Sequence, residues 1–363
     1  MRQILTLLAI VLLAAEFLAL RLPRRLHLPP QQQVETVNPL VGVHTQLSGV
    51  GEEAYIQQTL AQVREMGASW VVELFPWSYV QPRSRYGFDW TGADMIVRHA
   101  QRQGLTVVAR LDIVPEWARP PGTTDRYLDP EHYADYADYV AAFAERYRPH
   151  GVRHLIIWNE PNLSFEWGER PPDPGAYTAL LKVVYPRVKA VVPDAIIIAG
   201  GLSPGQSIGD GTVRLDDMHY LASLYDAGAA PFFDMWAVHA YGGQVPPDTP
   251  PAPEQVNFRR IELVRELMDR SGDAGKPMII TEGGWNDHPR WSAAVRPADR
   301  IRWTIAAYEQ ARNYPWLVAV CFWQFSTPFA TRSYPDNWNF VAPDGTPRVI
   351  FLAVQRYARG WEE

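Results

Sequence analysis

Two glutamates stand just after apolar, strand-like runs of the chain. Glu160 lies at the end of residues 154–158 and Glu282 at the end of residues 277–281. The β-branched and aromatic content of both runs is typical of strands covered on both faces, and Pro161 and a pair of glycines then interrupt them. Two carboxylates brought together at strand ends are what cleavage of a glycosidic bond needs. One protonates the departing oxygen, while the other meets the positive charge that develops at the anomeric carbon.

The chain that must position these glutamates alternates between strand candidates and segments with helical spacing. Eight such units predict an α/β fold, a closed (β/α)8 TIM barrel, since no glycine-rich dinucleotide fingerprint or phosphate-binding loop favours an open sheet. The chemistry of this fold lies at the carboxyl ends of the strands, where Glu160 falls on strand four and Glu282 on strand seven. The strand candidates are residues 40–44, 70–75, 106–111, 154–158, 195–199, 233–239, 277–281 and 318–323. The helical candidates are residues 56–63, 133–147, 180–188, 258–267, 301–308 and 349–357.

The composition allows one large domain. With 363 residues, of which 47% are hydrophobic, the chain is long enough for a single core, which we assign to residues 38–363. The net charge of -6 gives no basic surface for nucleic acid. Cys321, the only cysteine, lies in an apolar run and is expected to be a buried, unreactive thiol. The sequence has no His-Glu-x-x-His motif, cysteine cluster or acidic calcium loop, so no metal or cofactor is predicted, and no obligate protein partner is indicated.

Residues 1–25 are predicted to be a membrane anchor or a signal segment. Residues 4–20 are almost continuously apolar and come after a positively charged start, which fits both. We favour an uncleaved anchor that keeps an exported barrel at the membrane, because no small-residue cleavage site precedes the basic stretch 21–25; cleavage would give a secreted protein. The arginines of that stretch argue against export of the barrel. Residues 26–37, rich in proline and glutamine, are predicted to form an exposed tether.

Long loops after three of the strands are predicted to form the walls of a cleft. Residues 164–174, 242–254 and 326–344 are rich in Pro, Gly, Asp and Trp. Aromatic side chains suit the apolar faces of sugar rings, and several tryptophans lie in strand-end loops. The candidates to line a sugar-binding cleft are Trp77, Trp117, Trp167, Trp285 and Trp338.

Motifs on strands four and seven resemble those of a known enzyme clan. Trp-Asn-Glu-Pro at 158–161 and Thr-Glu-Gly at 281–283 look like the paired signatures of the retaining glycoside hydrolases with a (β/α)8 barrel. The resemblance covers most of residues 38–360, and the subgroup most similar in pattern is the β-xylosidase-like and exopolysaccharide-endoglycosidase-like family, with cellulase-like relatives sharing much of it. Further similar stretches are residues 77–82, 87–90, 115–118, 239–241 and 322–323.

The resemblance implies a role for each matching residue. Glu160 would be the general acid/base and Glu282 the nucleophile, which requires carboxyl groups about 5–5.5 Å apart. Asn159 would hold the 2-hydroxyl of the reacting sugar. Tyr241 would hydrogen-bond the nucleophile and His239 would line the same floor; the alternative is that both are packing residues of the core.

The ends of strands two and eight complete the implied site. Trp323 would form the platform beneath the reacting sugar, unless it is a simple core residue. Many relatives carry an arginine near the end of strand two, whereas this chain has Glu73. Arg110 on strand three is a candidate to supply the missing charge, and Glu73 and His44 are further candidates for the site.

A retaining glycoside hydrolase that acts on an oligo- or polysaccharide is therefore the first hypothesis. A transglycosylase would use the same two glutamates, with an acceptor sugar in place of water. A catalytically silent barrel that only binds glycan is the third hypothesis, kept open by the glutamate on strand two.

Overall fold

Eight parallel strands close into a barrel in the order in which they occur in the sequence, and a helix comes after each strand. These elements belong to a computed structural model that describes residues 30–361. The strands are β1 Val41–His44, β2 Trp70–Pro76, β3 Thr106–Asp112, β4 His154–Ile157, β5 Ile196–Leu202, β6 Met235–Tyr241, β7 Met278–Gly284 and β8 Leu317–Phe322. The long helices are α1 Glu53–Glu65, α2 Thr91–Arg102, α3 Tyr133–Tyr147, α4 Pro174–Val191, α5 Asp217–Asp226, α6 Arg260–Arg270, α7 Pro297–Ala311 and α8 Val349–Arg359, and a further short helix, Trp77–Val80, comes directly after β2. The predicted (β/α)8 fold is confirmed.

All eight predicted strands coincide with observed ones to within a few residues, whereas α2 and α5 have no counterpart in the sequence prediction. Helix α2 buries Ala93, Ile96, Val97, His99 and Ala100. Helix α5 has only 10 residues. Both have an apolar face that the sequence prediction missed, and the need to cross back over the sheet after each parallel strand accounts for a helix at each of these positions.

Alternate residues of the strands build two separate cores. One set points into the barrel, where Val72, Val108, Ile156 and Ile198 pack together with Cys321. The residues between them point outwards and pack against the helices. A filled interior makes the barrel a rigid base and leaves chemistry to the strand ends. Burial raises the pKa of the Cys321 thiol, as expected for an unreactive cysteine.

A register shift between β6 and β7 determines where Glu282 lies. The two strands pair regularly up to Val238 and Ile280, and the next pair is His239 with Glu282, so Thr281 is an extra residue on β7. Such a bulge re-aims the side chains that come after it. The shift places Glu282 beside the histidine of the neighbouring strand.

The predicted anchor, residues 1–25, lies outside the described residues. The described part of the predicted tether is hydrogen-bonded to the barrel, because the Gln32 N–H donates to the carbonyl of Arg102 (2.8 Å) and the Val37 N–H to that of Ala358 (2.7 Å). The chain from Gln31 onward thus belongs to the barrel unit. Within residues 30–361, no helix combines the length and the apolar character needed to cross a membrane.

Candidate active site

Glu160 and Glu282 meet at the carboxyl ends of the strands, on the floor of a cavity of about 730 Å³. One carboxylate oxygen of each and a ring nitrogen of His239 all lie within 4.8 Å of one another. The predicted convergence of the two strand-end glutamates is therefore present in the structure.

The chain leaves β4 through two residues in the left-handed region, Trp158 (φ 72°) and Glu160 (φ 39°). Such a conformation costs about 1–3 kcal/mol for a side chain with a Cβ, and persists only where the surroundings enforce it. The buried Trp158 indole donates to the carbonyl of Glu166 at 2.8 Å, and the Glu160 N–H donates to the carbonyl of Gly201 at 3.1 Å. These bonds fix the bend that turns Glu160 towards the cavity.

Both carboxylate oxygens of Glu282 are held by hydrogen-bond donors. Arg110 Nη1 donates to Oε1 at 3.0 Å, and the Tyr241 hydroxyl donates to Oε2 at 2.9 Å. Burial, together with the negative charge of Glu282, raises the pKa of Tyr241 well above its ordinary value, so the phenol stays protonated and donates. Glu282 is thus oriented by two donors. The charged guanidinium of Arg110 binds one carboxylate oxygen, and the neutral hydroxyl of Tyr241 binds the other.

His239 lies between the two glutamates. Its Nδ1 is 2.8 Å from Glu160 Oε1 and 3.8 Å from Glu282 Oε2. Burial alone would lower the pKa of His239, but the charge of Glu282 and the hydrogen bond and charge of Glu160 outweigh it and raise this pKa. The ring therefore donates its Nδ1–H to Glu160 and links the two carboxylates.

Arg110 also contacts two other residues near the cavity. Its Nη1 donates to Asn159 Oδ1 at 3.3 Å, and its Nε lies 3.2 Å from Asp112 Oδ2. Asn159 lines the same cavity as the glutamates. The structure thus brings the arginine of β3 to Glu282, the position for which Arg110 was a candidate.

Trp323 comes directly after β8 and lines the cavity. The ring of His44 packs edge-on against it, with 4.7 Å between ring centroids. His44 Nε2 is 3.8 Å from Glu282 Oε1. Burial and the charge of Arg110 hold the pKa of His44 well below its ordinary value, so its ring is neutral and supports the indole by packing.

Two of the predicted substrate contacts, Trp77 and Trp285, are core residues instead. Their side chains are 0% and 2% exposed. The Trp77 indole donates to Gln81 Oε1 at 2.7 Å and that of Trp285 to the carbonyl of Val245 at 3.0 Å. Large rings whose N–H groups are satisfied inside the protein pack beneath the loops rather than facing the cavity.

The remaining tryptophan candidates divide in the same way. Trp338 lines the cavity. Trp167 is 1% exposed and packs on Trp158, with 5.6 Å between ring centroids. Trp117 packs edge-on against the buried Trp77 (5.2 Å). Of these five tryptophans, only Trp338, in the loop after β8, lines the cleft.

Glu73 is not a third carboxylate of the site. It is 0% exposed and accepts hydrogen bonds from the Thr45 hydroxyl (2.6 Å) and from the N–H groups of Leu47 and Ser48 (3.0 Å each). Burial raises its pKa to about 7. The residue therefore fixes the loop that comes after β1, which explains a glutamate where many members of the clan that this chain resembles have an arginine.

Several cavity residues escaped sequence reasoning. Arg126 lies after β3, with its Nη1 2.9 Å from Asp112 Oδ2 and 3.0 Å from Glu166 Oε2. Burial raises the pKa of Glu166 to about 7, and the negative charge of Glu160 acts in the same direction. Neither residue belongs to a motif, and their only sequence signal is a place in a loop after a strand. Other such residues are Gln46, Phe165, Trp291, Gln324, Phe329 and Tyr334.

The cavity walls come from the three loops predicted to form them and from the loop after β7. Residues of the ranges 164–174, 242–254 and 326–344 all line the cavity. Trp291 and Ala293, in the loop between β7 and α7, add a fourth side that was not predicted. The result is an open cleft with a carboxylate floor and aromatic walls.

Glu160, His239 and Glu282 also have the spacing of metal ligands. A cation there would compete with the guanidinium of Arg110 for Glu282 Oε1, and with the Tyr241 hydroxyl for Oε2. The raised pKa of His239 further favours a proton on the nitrogen that a metal would need. The arrangement of donors fits acid–base and nucleophilic chemistry better than metal binding.

No family model and no curated protein matches the chain. Solved structures do share its fold. A family 39 glycoside hydrolase from Bacteroides cellulosilyticus has a TM-score of 0.70 and 22% identity, over 89% of this chain and 64% of its own. A monomeric β-xylosidase from Caulobacter crescentus has a TM-score of 0.66 and 19% identity, over 89% of this chain and 69% of its own.

A GH5_18 protein from Streptomyces cattleya, solved with the disaccharide Manβ1-4GlcNAc, has a TM-score of 0.66 and 16% identity, over 89% of this chain and 81% of its own. The chain spans 64% of the length of the Bacteroides hydrolase. At these identities the likeness establishes the (β/α)8 fold, which the chain shares with glycoside hydrolases.

Proposed function

We propose that the protein is a retaining glycoside hydrolase that cleaves an oligo- or polysaccharide by double displacement. Glu160 is the general acid/base and Glu282 the nucleophile. The observation that carries the proposal is that one oxygen of each carboxylate lies within 4.8 Å of the other across the cavity. Retaining enzymes need about 5–5.5 Å between these groups, whereas inverting enzymes leave about 6.5–9.5 Å for a water molecule.

The reaction takes place in two steps. In the first, a Glu282 oxygen forms a bond to the anomeric carbon while the bond to the departing sugar breaks and Glu160 gives its proton to the leaving oxygen. In the second, Glu160 takes a proton from water, whose oxygen displaces Glu282 from the same carbon. Configuration is retained because the carbon is inverted twice.

The neighbouring residues support these roles. Arg110 and Tyr241 orient Glu282, and His239 donates to Glu160. Asn159 lines the cavity beside the glutamates and is assigned to the 2-hydroxyl of the reacting sugar. Trp323 provides an apolar face for the ring in the same cavity.

The decisive test is the Glu282→Gln variant. Turnover of glycans is expected to fall by more than about 10³-fold because the amide cannot attack the anomeric carbon, while the melting temperature stays close to that of the wild type. Product NMR on the wild type with plant, fungal and bacterial glycans should show retained anomeric configuration. Glu254→Gln, an exposed glutamate in the loop after β6, is the matched control. Normal turnover by Glu282→Gln, or inverted products, would remove the nucleophile assignment.

Glu160→Ala separates the acid role from binding. Cleavage should slow by about 10²–10⁴-fold for sugars with poor leaving groups and far less for activated aryl glycosides, because a good leaving group needs little protonation. Steady-state kinetics on both kinds of substrate measure the difference. Equal losses on both would count against Glu160 as the acid.

A further inference from the structure

A second pocket, of about 650 Å³, adjoins the cleft. It lies between the loop after β7, the start of α7 and the start of α8. Trp291 lines both this pocket and the cleft that holds the two glutamates. Its volume is within the range of about 300–1,000 Å³ that small-molecule sites occupy. We call it the arginine pocket, after Arg296, Arg300 and Arg348, which line it.

The arginine pocket carries an excess of positive charge in a chain whose net charge is -6. Its three arginines face one carboxylate, Asp287, so positive charges exceed negative ones by two when His288 is neutral. Asp287 Oδ1 lies 3.3 Å from Arg300 Nη1 and also accepts a hydrogen bond from Asn337 (3.0 Å). A local charge opposite to that of the whole protein favours an anionic ligand.

Arg300 is buried without full compensation. Its side chain is 3% exposed, its Nη2 donates to the carbonyls of Trp338 (2.5 Å) and Asn339 (3.3 Å), and its Nε has no hydrogen-bond partner. Burial lowers its pKa to about 10, and the charge of Asp287 offsets this only in part. A buried guanidinium of this kind is stabilised by any anion that enters beside it.

The other two arginines have no ion-pair partner in the part of the chain that the structure describes. Within residues 30–361, no carboxylate lies within 4.0 Å of the guanidinium nitrogens of Arg296 or Arg348. Asp336 and Asp344 are near enough to feel the charge of Arg348. Their carboxylates are engaged elsewhere, since Asp336 accepts N–H groups of its own loop, from residues 331 and 332, and Asp344 accepts one from residue 346.

The remaining lining of the arginine pocket is apolar. Trp291, Ile301 and Ile350 lie among its walls. Trp291 stacks on Tyr334, which lines the cleft, with 5.0 Å between ring centroids and 24° between ring planes. An aromatic and aliphatic surface beside guanidinium groups fits a sugar ring that bears a negatively charged substituent, because the ring packs on the aromatic face while the anion meets the arginines.

We propose that the arginine pocket binds an anionic sugar unit, carrying a carboxylate or sulfate, of a glycan whose neighbouring units occupy the cleft. The cleft and the arginine pocket share Trp291 as a wall, so the two sites are adjacent. The inference rests on the proposed glycosidase function and narrows its substrate class to acidic glycans. The reacting sugar itself remains over Trp323 and the two glutamates.

Binding is tested on the Glu282→Gln protein, in which turnover is blocked. Isothermal titration compares a trisaccharide of galacturonic acid with the galactose trisaccharide of the same linkage, at low and at physiological salt. The acidic trisaccharide should bind at least about tenfold more tightly, and the difference should shrink with added salt. Adding R296Q and R348Q together should remove the difference. R270Q with R356Q, which removes two exposed arginines outside the pocket, is the control matched for net charge and should leave it intact.

Three results would overturn the proposal. The first is that the acidic trisaccharide binds no more tightly than the neutral one. The second is that the protein with R296Q and R348Q keeps the full difference in affinity between the two trisaccharides. The third is that inorganic sulfate alone binds as tightly as the acidic trisaccharide, which would indicate a simple anion site. Turnover of a neutral aryl glycoside by otherwise wild-type R296Q/R348Q reads out the proposed function separately. Normal turnover by the wild type, combined with no preference of the Glu282→Gln protein for the acidic trisaccharide, refutes the arginine pocket alone. Such a preference, combined with no cleavage of any glycan by the wild type, refutes the hydrolase alone.

Discussion

Each residue around the two glutamates has a separate role in the site. Arg110 and Tyr241 each take one carboxylate oxygen, and His239 holds Glu160. A donor that is neutral and buried orients a carboxylate without adding charge, whereas a guanidinium both orients and attracts it. The loss of each donor should therefore have a distinct signature.

Replacing Tyr241 by Phe should lower kcat/KM by about 10- to 100-fold, because a hydrogen bond to a charged group contributes about 1.5–3 kcal/mol. The ring keeps its packing against Trp338, 5.4 Å away between centroids, so the melting temperature should change little. Tyr225→Phe is the matched control, since that hydroxyl donates to Asp273 at 3.0 Å away from the cavity. Steady-state kinetics decide the matter, and unchanged kcat/KM in Tyr241→Phe would show that this hydroxyl does not act on the nucleophile.

Glu73 predicts a dependence of stability on pH. Its pKa rises on folding from the ordinary 4.5 to about 7, so the folded state holds the proton more tightly. The resulting stabilisation is fully present below about pH 4.5 and is lost as the pH rises through about 7, at most about 3 kcal/mol. In Glu73→Gln the fall in the free energy of unfolding from pH 5 to pH 8 should be smaller than in the wild type.

Urea unfolding at both pH values measures this difference, independently of any constant loss that the amide causes by facing backbone N–H groups. Glu166, whose pKa is also about 7, still titrates in Glu73→Gln. The Glu166→Gln variant should therefore show its own, separate reduction of the fall in the free energy of unfolding between pH 5 and pH 8. Identical slopes for the wild type and Glu73→Gln would contradict the assignment of Glu73.

Among the elements, the seam between β1 and β8 closes the barrel and sets the distances across it. Gly42 on β1 pairs with Cys321 on β8. A Cβ at position 42 would lie 2.6 Å from Cys321 Sγ and 2.8 Å from Trp70 Cβ. The seam is therefore packed too closely for a side chain at position 42.

Gly42→Ala should lower the free energy of unfolding by about 1–3 kcal/mol, because overpacking forces the closing strands apart. Gly92→Ala in the first turn of α2, where an added Cβ meets nothing within 4 Å, should instead raise it by about 0.4–1 kcal/mol. Thermal or urea unfolding of the two variants gives the comparison. If both alanines changed stability alike, crowding at the seam would not be the cause.

For the whole molecule, the sequence of residues 4–20 leads to a prediction about location. We propose that this segment holds the barrel at a membrane, outside the cytoplasm. The full chain should sediment with membranes, whereas a protein that begins at Gln31, where the barrel unit starts, should stay in the supernatant with unchanged kcat/KM on a soluble glycan. Fractionation of expressing cells and protease accessibility test this, and a full chain that stays soluble and uncleaved would contradict the anchor.

The sequence by itself determined the periodic strands, and with them the (β/α)8 barrel and the convergence of Glu160 and Glu282. These features can be read from local patterns, because an apolar run followed by a turn-forming residue indicates a strand and the residue at which it ends, whatever the strand packs against. From the sequence, Arg110 is only a candidate to supply the charge of the missing strand-two arginine. The structure brings it to 3.0 Å from Glu282.

Only the tertiary structure decided which side chains face the cleft. Trp77 and Trp285 lie in strand-end segments yet are buried, Glu73 ties down a loop, and the arginine pocket joins residues from three separate stretches. The physical reason is that side-chain direction changes with every residue of a strand or loop, and that a single extra residue such as Thr281 in β7 resets it for the rest of the strand. Distances across a closed barrel arise from strand register, which no short motif encodes.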